Sequence, residues 1–424
     1  MEQRTYIKNA AQVITVGGAS DAPKRGAEME DLRIIEQGGV VCENGRIRFV
    51  GPDAEAEAFV RSLGGADTVI DAAGKIVTPG LVDPHTHLVF AGSRERELEM
   101  RLQGATYLEI LKQGGGILYS TAQTRAATEE ELLQESWKRL NRFLQHGVTT
   151  VEAKSGYGLT VEDELKQLRV ARQLHERHPV DVVSTFMGAH AVPQEYKHDP
   201  DEYVRIVIEE MLPRVAAEKL AEFCDVFCEQ GVFTVEQSER ILEAGKQWGL
   251  IPKIHADEIV SFGGAELAAK VGAISADHLL KASDEGMRAM AQAGVIAVLL
   301  PATALFLMEQ PARARALIEA GVPVALSTDR NPGSSPTESL PLVMNLACLT
   351  MKMTPAEVIT ASTINAAHAI GRGREIGSIE PGKKADLVVF DAPNYVYLQY
   401  NFGVNLVDTV LKDGRVVVKE GRIV

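Results

Sequence analysis

The sequence predicts an α/β protein, in which a (β/α)8 TIM-like barrel carries a small β-sandwich domain built from both ends of the chain. Eight short apolar runs alternate with helical patterns from about Lys75 onward, and eight is the strand number that closes a barrel. Both ends of the chain are rich in strand patterns while the middle is not. We therefore place the β-sandwich domain at residues 1–75 and 376–424, with the barrel at 76–375 between them.

Turn signals and periodicity support each part of this prediction. Asn44-Gly45 and Asp413-Gly414 are hairpin turn signals within the two β-rich ends. Helical segments such as VEDELKQLRVARQLHERH separate the central strands and repeat apolar residues at helical spacing. The central candidate strands are KIVTPGLVDPHTH, GVTTVEAKSG, VDVVSTFMGAH, CDVFCEQ, IPKIHADE, AISADHLL, GVIAVLLP and VPVALSTD.

Composition narrows the class of function. The 424 residues are 45% hydrophobic and carry a formal net charge of -14, which disfavours nucleic acid and anionic membrane surfaces as partners. No segment approaches the roughly 18 uninterrupted apolar residues of a membrane span, and the first residues do not resemble a signal peptide. Four scattered cysteines agree with a reducing compartment. We therefore expect a cytoplasmic protein, and a small anionic ligand would need its own Arg or Lys.

Polar residues follow the predicted strands where a barrel carries its active face. The carboxyl ends of the strands form that face in barrels of this kind, and an apolar core would not select such residues. They are His85, His87, Tyr157, His190, His255, Glu258, His278 and Asp329.

The first pair predicts a metal site. His85 and His87 alternate along a strand, so both imidazoles point to the same face, as two ligands of one ion must. Three histidines and one carboxylate form a site suited to zinc or iron, with a position left for water. Taken singly, each histidine could merely stabilise a strand end through hydrogen bonds, but that explanation becomes weak for the whole set.

The order of these residues resembles the amidohydrolase superfamily over essentially the whole chain: His-x-His on the first strand, His on the fifth and sixth, and Asp on the eighth. Residues 381–388, PGKKADLV, resemble its return into the β domain. Many binuclear members carry a bridging lysine on strand four, which is absent from CDVFCEQ, while Lys154 lies on strand two. The resemblance therefore implies one divalent ion, Zn2+ or Fe2+/Fe3+, held by His85, His87, His255 and Asp329.

A narrower resemblance points to one branch of the superfamily. His255-Ala256-Asp257-Glu258 resembles the His-x-x-Glu of the mononuclear branch, which includes purine and pyrimidine deaminases. Residues 85–117 and 327–341, with VEAKSGYGL and FMGAHAVPQEY, resemble a hydrolase of that branch that opens a small anionic heterocycle at a cyclic amide. A deaminase of the same branch and a barrel without activity are the alternatives. We also expect a homodimer.

The resemblance further implies roles for individual residues. Glu258, His278 and Asp329 would act in catalysis. His278 would orient water or stabilise the developing oxyanion, and Glu258 would contact the substrate ring and move a proton. Arg94 would bind the substrate carboxylate through two parallel hydrogen bonds, while Arg96 and Arg101 would be solvated or paired with nearby glutamates. The substrate contacts implied in addition are Tyr157, His190, Glu258, Asn331, Gly333 and Ser334.

Overall fold

The computed structural model describes residues 3–104, 109 and 115–424, so residues 105–108 and 110–114 of the segment singled out above lie outside the described residues. Within the described part of the chain there are two sheets, one of eight parallel strands and one of nine strands with mixed direction. The parallel sheet is the barrel, and the mixed sheet contains strands from both ends of the chain. This arrangement confirms the predicted fold class.

The first part of the mixed sheet is built around a long strand, β1. Its first half pairs with β4 and its second half with β5. On its other side β1 pairs with β2, and the register of that pairing shifts between Ile7 and Ala10. The β2–β3 hairpin turns at Asn44 (φ 51°) and Gly45 (φ 79°), as the sequence predicts. The elements are β1 (Arg4–Ile14), β2 (Ile34–Glu43), β3 (Arg46–Pro52), α1 (Asp53–Ser62), β4 (Thr68–Asp71) and β5 (Ile76–Pro79).

Gly80 divides a segment that the sequence analysis takes as one strand, and the prediction of a single strand was wrong here. β5 pairs in the mixed sheet, whereas the next strand, β6 (Leu81–Asp83), begins the barrel. A Cβ atom at Gly80 would lie 2.2 Å from Thr149 Oγ1, so only glycine lets the chain pass so close to the second barrel strand.

The barrel strands follow one another in sequence order around the sheet. The last strand meets the first through a parallel bridge between Thr86 and Arg330, and the His87 N–H donates to the Arg330 carbonyl at 2.9 Å. The strands after β6 are β7 (Val148–Lys154), β8 (Asp181–Ala189), β9 (Phe223–Cys228), β10 (Ile251–Ala256), β11 (Ser275–His278), β12 (Ile296–Leu299) and β13 (Val324–Leu326).

Helices cover the outside of the barrel and connect its strands. Among the described helices, none is long and apolar enough to cross a membrane. They are α2 (Glu95–Leu102), α3 (Ile117–Ala126), α4 (Glu129–Gln145), α5 (Val161–Arg177), α6 (Pro200–Ile206), α7 (Leu212–Ala217), α8 (Val235–Gln247), α9 (Gly264–Val271), α10 (Asp284–Ala293), α11 (Pro301–Phe306), α12 (Ala314–Glu319), α13 (Leu340–Met351), α14 (Pro355–Ala361) and α15 (Ile364–Ala369). Short turns occur at the 3-10 helices Gly26–Glu30 and Gln194–Tyr196 and at the π-helix Val207–Met211.

The final strands return to the mixed sheet. β14 pairs antiparallel with β5, and the β15–β16 hairpin turns at Asp413 (φ 48°) and Gly414 (φ 72°), as predicted. The buried side chains of Ile7, Val77 and Leu387 share one hydrophobic core, so both ends of the chain contribute to it. The limits of the two domains stay a prediction. The elements are β14 (Leu387–Phe390), α16 (Tyr395–Tyr400), β15 (Val407–Lys412), β16 (Arg415–Lys419) and β17 (Arg422–Ile423).

Candidate active site

The polar residues predicted at the strand ends meet around one cavity at the carboxyl end of the barrel. The cavity has a volume of about 190 Å³. His85 lies behind it, fully buried, with its ring centroid 4.5 Å from that of His255. Three apolar residues that the sequence analysis missed, Ile117, Phe227 and Leu307, also line the cavity. The predicted residues that line it are His87, Arg94, Tyr157, His190, His255, Glu258, His278, Asp329, Asn331, Gly333 and Ser334.

Three histidines form a cluster that could hold a metal ion. One nitrogen from each of His85, His87 and His255 lies within 4.8 Å of the other two. The Nε2 atoms of His85 and His255 are buried and have no hydrogen-bond partner among the described residues. A buried nitrogen without a partner is costly, so this arrangement fits a ligand that accepts the lone pairs.

Asp329 supplies the carboxylate of the cluster. Its Oδ1 atom lies 3.4 Å from His85 Nε2 and 3.9 Å from His87 Nε2. The Thr303 hydroxyl donates to its other oxygen, Oδ2, at 2.7 Å, which leaves Oδ1 for the histidine side. Burial raises the pKa of Asp329 to about 6. A bound cation would favour its ionised form.

The opposite edge of each imidazole is held by an oxygen. The Nδ1 atom of His85 lies 2.6 Å from Asp277 Oδ2, and that of His255 lies 3.1 Å from Asp225 Oδ1. His87 Nδ1 lies 3.4 Å from the Ser155 carbonyl. Carboxylate and carbonyl oxygens only accept, so the proton is on Nδ1 and the Nε2 lone pair is free.

Burial keeps the rings of His85 and His87 neutral. It lowers the pKa of His85 and of His87 well below the usual histidine value, and the charges of Lys154 and of neighbouring histidines act in the same direction. A neutral imidazole is the form that binds a metal. Geometry and protonation therefore both fit the predicted ligands.

The chain turns sharply after β10, and the turn brings Glu258 to the cavity. Asp257 has a left-handed backbone (φ 50°), and its carboxylate accepts four backbone N–H groups between residues 262 and 265, at 2.7–3.2 Å. Glu258 Oε1 then lies 3.5 Å from His278 Nδ1. Burial, followed by the charges of Asp329 and Glu229, raises the pKa of Glu258 to about 8.

Unfavourable backbone conformations occur at the same face of the barrel. His278 has a φ of 74° and Asp329 a φ of 52°, so both share the left-handed backbone conformation of Asp257. Such conformations cost about 1–3 kcal/mol each for residues other than glycine, and they often occur at functional sites. Three of them around one cavity support a functional role for this face.

Arg94 is held in place on the cavity wall by two contacts. Its Nε and Nη2 atoms donate to the carboxylate of Glu97 at 2.9 and 2.7 Å. A Cβ atom at Gly333 would lie 2.0 Å from Arg94 Nη1, so the guanidinium lies directly against the glycine backbone. Arg101, expected to be solvated or paired with a nearby glutamate, donates to the backbone carbonyls of Gly333 and Glu97 at 3.2 and 3.4 Å.

The remaining predicted residues complete the wall. The ring of His190 stacks on that of His87 with centroids 4.6 Å apart, and Tyr157 lies edge-on to both. Burial and the nearby His255 lower the pKa of His190 to about 3. The Asn331 side chain accepts the N–H groups of Gly333 and Ser334 at 2.8 Å, so it shapes the loop that faces the cavity.

Two aspartates and a lysine behind the histidines were missed as functional residues. Asp225 and Asp277 lie inside short, largely buried strands, and a charged residue in such a strand was the available signal. Lys154, whose role the sequence left open, ends β7 and is fully buried.

Comparison with known proteins identifies the family of the chain. A model of the amidohydrolase family matches residues 76–417. An imidazolonepropionase from Shouchella clausii is 69% identical over 421 residues, covering 99% of this chain and 94% of the relative, and one from Geobacillus kaustophilus is 65% identical, covering 99% of both. A zinc-bound adenosine deaminase from Xanthomonas campestris has a similar fold, with a TM-score of 0.72 at 19% identity over 99% of this chain and 94% of its own. The chain therefore belongs to the amidohydrolase family and, within it, to the group of the imidazolonepropionases.

Proposed function

We propose that this protein hydrolyses 4-imidazolone-5-propanoate to N-formimino-L-glutamate, a step of histidine breakdown. One observation carries the proposal: two histidines of the cluster, His87 and His255, border the same cavity as the Arg94 guanidinium. The histidine cluster suits water attack on a cyclic amide, and the guanidinium suits the carboxylate of an anionic substrate. The imidazolonepropionases, similar over nearly the whole chain, support the same activity.

We propose one divalent ion per chain, zinc or iron, held by three Nε2 atoms and one carboxylate oxygen. The orphaned nitrogens of His85 and His255 support this set, and the nitrogen-rich donors suit both metals. When bound, such an ion lowers the pKa of water from roughly 16 to about 7 and supplies a nucleophile at neutral pH. The proposed ligands are His85, His87, His255 and Asp329.

The protein's own groups then guide the proton and the substrate. His278, beside the ligand cluster, would orient the attacking water and stabilise the oxyanion. Glu258 would transfer a proton to the leaving ring nitrogen, because its carboxyl group lies on the cavity wall and next to His278. Asp329 would contribute as both ligand and catalytic residue.

Substrate recognition would depend on other residues that line the cavity. Arg94 would bind the propionate, and its pairing with Glu97 fixes the guanidinium before substrate arrives. The ring would lie between Tyr157 and His190 and the loop of Asn331, Gly333 and Ser334.

We also propose where the enzyme works and what it associates with. Cys42, Cys224, Cys228 and Cys348 are free thiols, which supports a reducing compartment, the cytoplasm. The net charge of -14 supports the absence of a nucleic acid partner. The exposed apolar side chains around α16, such as Tyr400 at 82% exposure, support the proposed homodimer.

A direct assay tests the activity. Purified protein is incubated with imidazolonepropionate, and loss of the substrate absorbance is followed with and without a chelator. We expect turnover that the chelator stops, and none with cytosine, guanine or adenosine. Turnover of one of these three bases or nucleosides, without turnover of imidazolonepropionate, would assign the protein to the deaminases.

Replacing Arg94 should weaken substrate binding. Hydrogen bonds to a charged group contribute about 1.5–3 kcal/mol, so Arg94→Met should raise KM by roughly 10- to 150-fold while kcat changes less. Steady-state kinetics measure both constants. The double variant Arg94→Met/Glu97→Gln should raise KM by a similar factor. It leaves no buried carboxylate without its guanidinium, so a similar KM would show that the effect comes from the lost contact with the substrate. Arg96→Met is the matched control, because Arg96 is exposed on the same helix, and an unchanged KM for Arg94→Met contradicts the role.

Gly333→Ala should move the same guanidinium without removing it. Gly333 has no positive φ, so alanine fits the backbone, but its Cβ would lie 2.0 Å from Nη1 and 2.5 Å from Cζ of Arg94. We expect a higher KM with little change in thermal stability. Gly17→Ala is the control, because its Cβ would meet only ordinary contacts at 3.4 Å. Equal KM values for the two variants would show that Arg94 is not placed by this contact.

A further inference from the structure

A charged cluster is buried directly behind the proposed metal ligands. Lys154 Nζ lies 2.7 Å from Asp225 Oδ2, 2.9 Å from Glu152 Oε2 and 3.3 Å from Asp277 Oδ2. Lys253 Nζ lies 3.4 Å from Glu152 Oε1 and donates to the Ala369 carbonyl at 2.9 Å. The ion-paired side chains of all five charged residues have no exposed surface.

The two aspartates are the same groups that hold the histidines. Asp225 Oδ1 accepts a hydrogen bond from His255 Nδ1, while its Oδ2 accepts one from the Lys154 ammonium. Asp277 Oδ2 lies 2.6 Å from His85 Nδ1 and also meets Lys154. Among the described residues, Lys154 is the cation whose ion pairs join both aspartates, so one ammonium connects two ligand imidazoles on different strands.

The Lys154 ammonium offsets the negative charge of the three buried carboxylates that surround it. Three carboxylates so close together repel one another in a medium from which water is excluded, and buried charges persist only when they are paired. Burial alone would lower the pKa of Lys154, but Asp225, Glu152 and Asp277 raise it above its usual value, so the ammonium stays charged. Without it, Asp225 and Asp277 would move apart or recruit water.

We propose that Lys154 is a positioning residue of the metal centre: through Asp225 and Asp277 it fixes the orientation and tautomer of His255 and His85, so that both Nε2 lone pairs are aimed at one ion. This inference rests on the metal site of the proposed function. It also gives a role to Lys154 on the second barrel strand. The fourth barrel strand, where many binuclear members of the superfamily carry a bridging lysine, has none. Its ammonium is fully paired with carboxylates and is not itself a ligand.

Metal affinity tests the inference without relying on turnover. The dissociation constant for Zn2+ is measured by competition with a chromophoric chelator. Lys154→Met is nearly equal in length and lacks the charge, and loss of a partner behind a ligand histidine costs about 10- to 100-fold in metal affinity. We expect a loss of that size.

A buried lysine elsewhere provides the matched control. Lys412, at the end of β15 in the mixed sheet, is also buried and pairs with three carboxylates, Asp181, Asp386 and Asp413, at 2.8–3.2 Å. Lys412→Met should lower the thermal midpoint comparably but leave the Zn2+ dissociation constant close to that of the natural protein. A merely structural role for Lys154 would give the same pattern for both variants.

A charge-balanced variant keeps the test decisive if Lys154→Met does not fold. Lys154→Met/Glu152→Gln removes one charge of each sign, so the net charge of the buried cluster is unchanged, yet Asp225 and Asp277 still lose their shared cation. We expect weak Zn2+ binding for this variant and nearly normal binding for Glu152→Gln alone. Normal affinity in a folded Lys154 variant overturns the inference. If the natural protein itself binds no Zn2+ or iron, the proposed metal site fails instead.

Discussion

Removal of the bound metal ion is expected to abolish hydrolysis, because none of the described cavity side chains replaces the ion's effect on the pKa of water. Of the four proposed ligands, His85 and His255 have buried Nε2 atoms without a hydrogen-bond partner among the described residues. Dialysis against a chelator, followed by metal analysis and the substrate assay, measures the effect. Re-addition of Zn2+ or Fe2+ should restore turnover, and the ion that restores the higher kcat is the working one.

Two controls separate chemistry from folding. Far-ultraviolet circular dichroism should be unchanged by metal removal, because the barrel strands and the core do not depend on the four ligands. A preparation that contains no measurable metal and still turns over substrate would reject the proposed mechanism, whatever the affinity of the site.

Glu258→Gln should lower kcat by about 10²- to 10⁴-fold, the usual contribution of a positioned proton-transfer group, while metal content stays the same. The amide preserves the size of the side chain but cannot carry the proton. Glu309→Gln is the control, because Glu309 is an exposed carboxylate that does not line the cavity. Near-normal kcat for Glu258→Gln would remove this residue from the mechanism.

Residues that share a strand end could be predicted from the sequence. Local patterns identify the eight strands of the barrel, and the His85-Thr86-His87 alternation places two imidazoles on one face. Because parallel strands end at the same mouth, His255, His278 and Asp329 were expected beside them, and they border or adjoin one cavity with His87. The split at Gly80 was not predicted, since a single strand pattern runs through both β5 and β6.

Contacts between strands could not be predicted in the same way. Asp225 and Asp277 hold histidines that are 30 and 192 positions away, and no local spacing encodes such a pair. The Arg94–Glu97 pair is different, because three positions on a helix is a spacing at which side chains meet, and the sequence contained that signal. The turn at Asp257 depends on a network of backbone hydrogen bonds that side-chain patterns do not reveal.

The mixed sheet has a consequence for how the protein is made. Lys75 and Asp408 form an ion pair although 333 positions separate them, and β14 is the strand that covers the edge of β5. At roughly 5–20 residues per second, a ribosome needs tens of seconds to synthesise the intervening chain. During that interval β5 presents an unpaired edge, which favours association with other nascent chains. Productive folding in the cell therefore depends on the timing of translation and on protection of this edge until the last strands emerge.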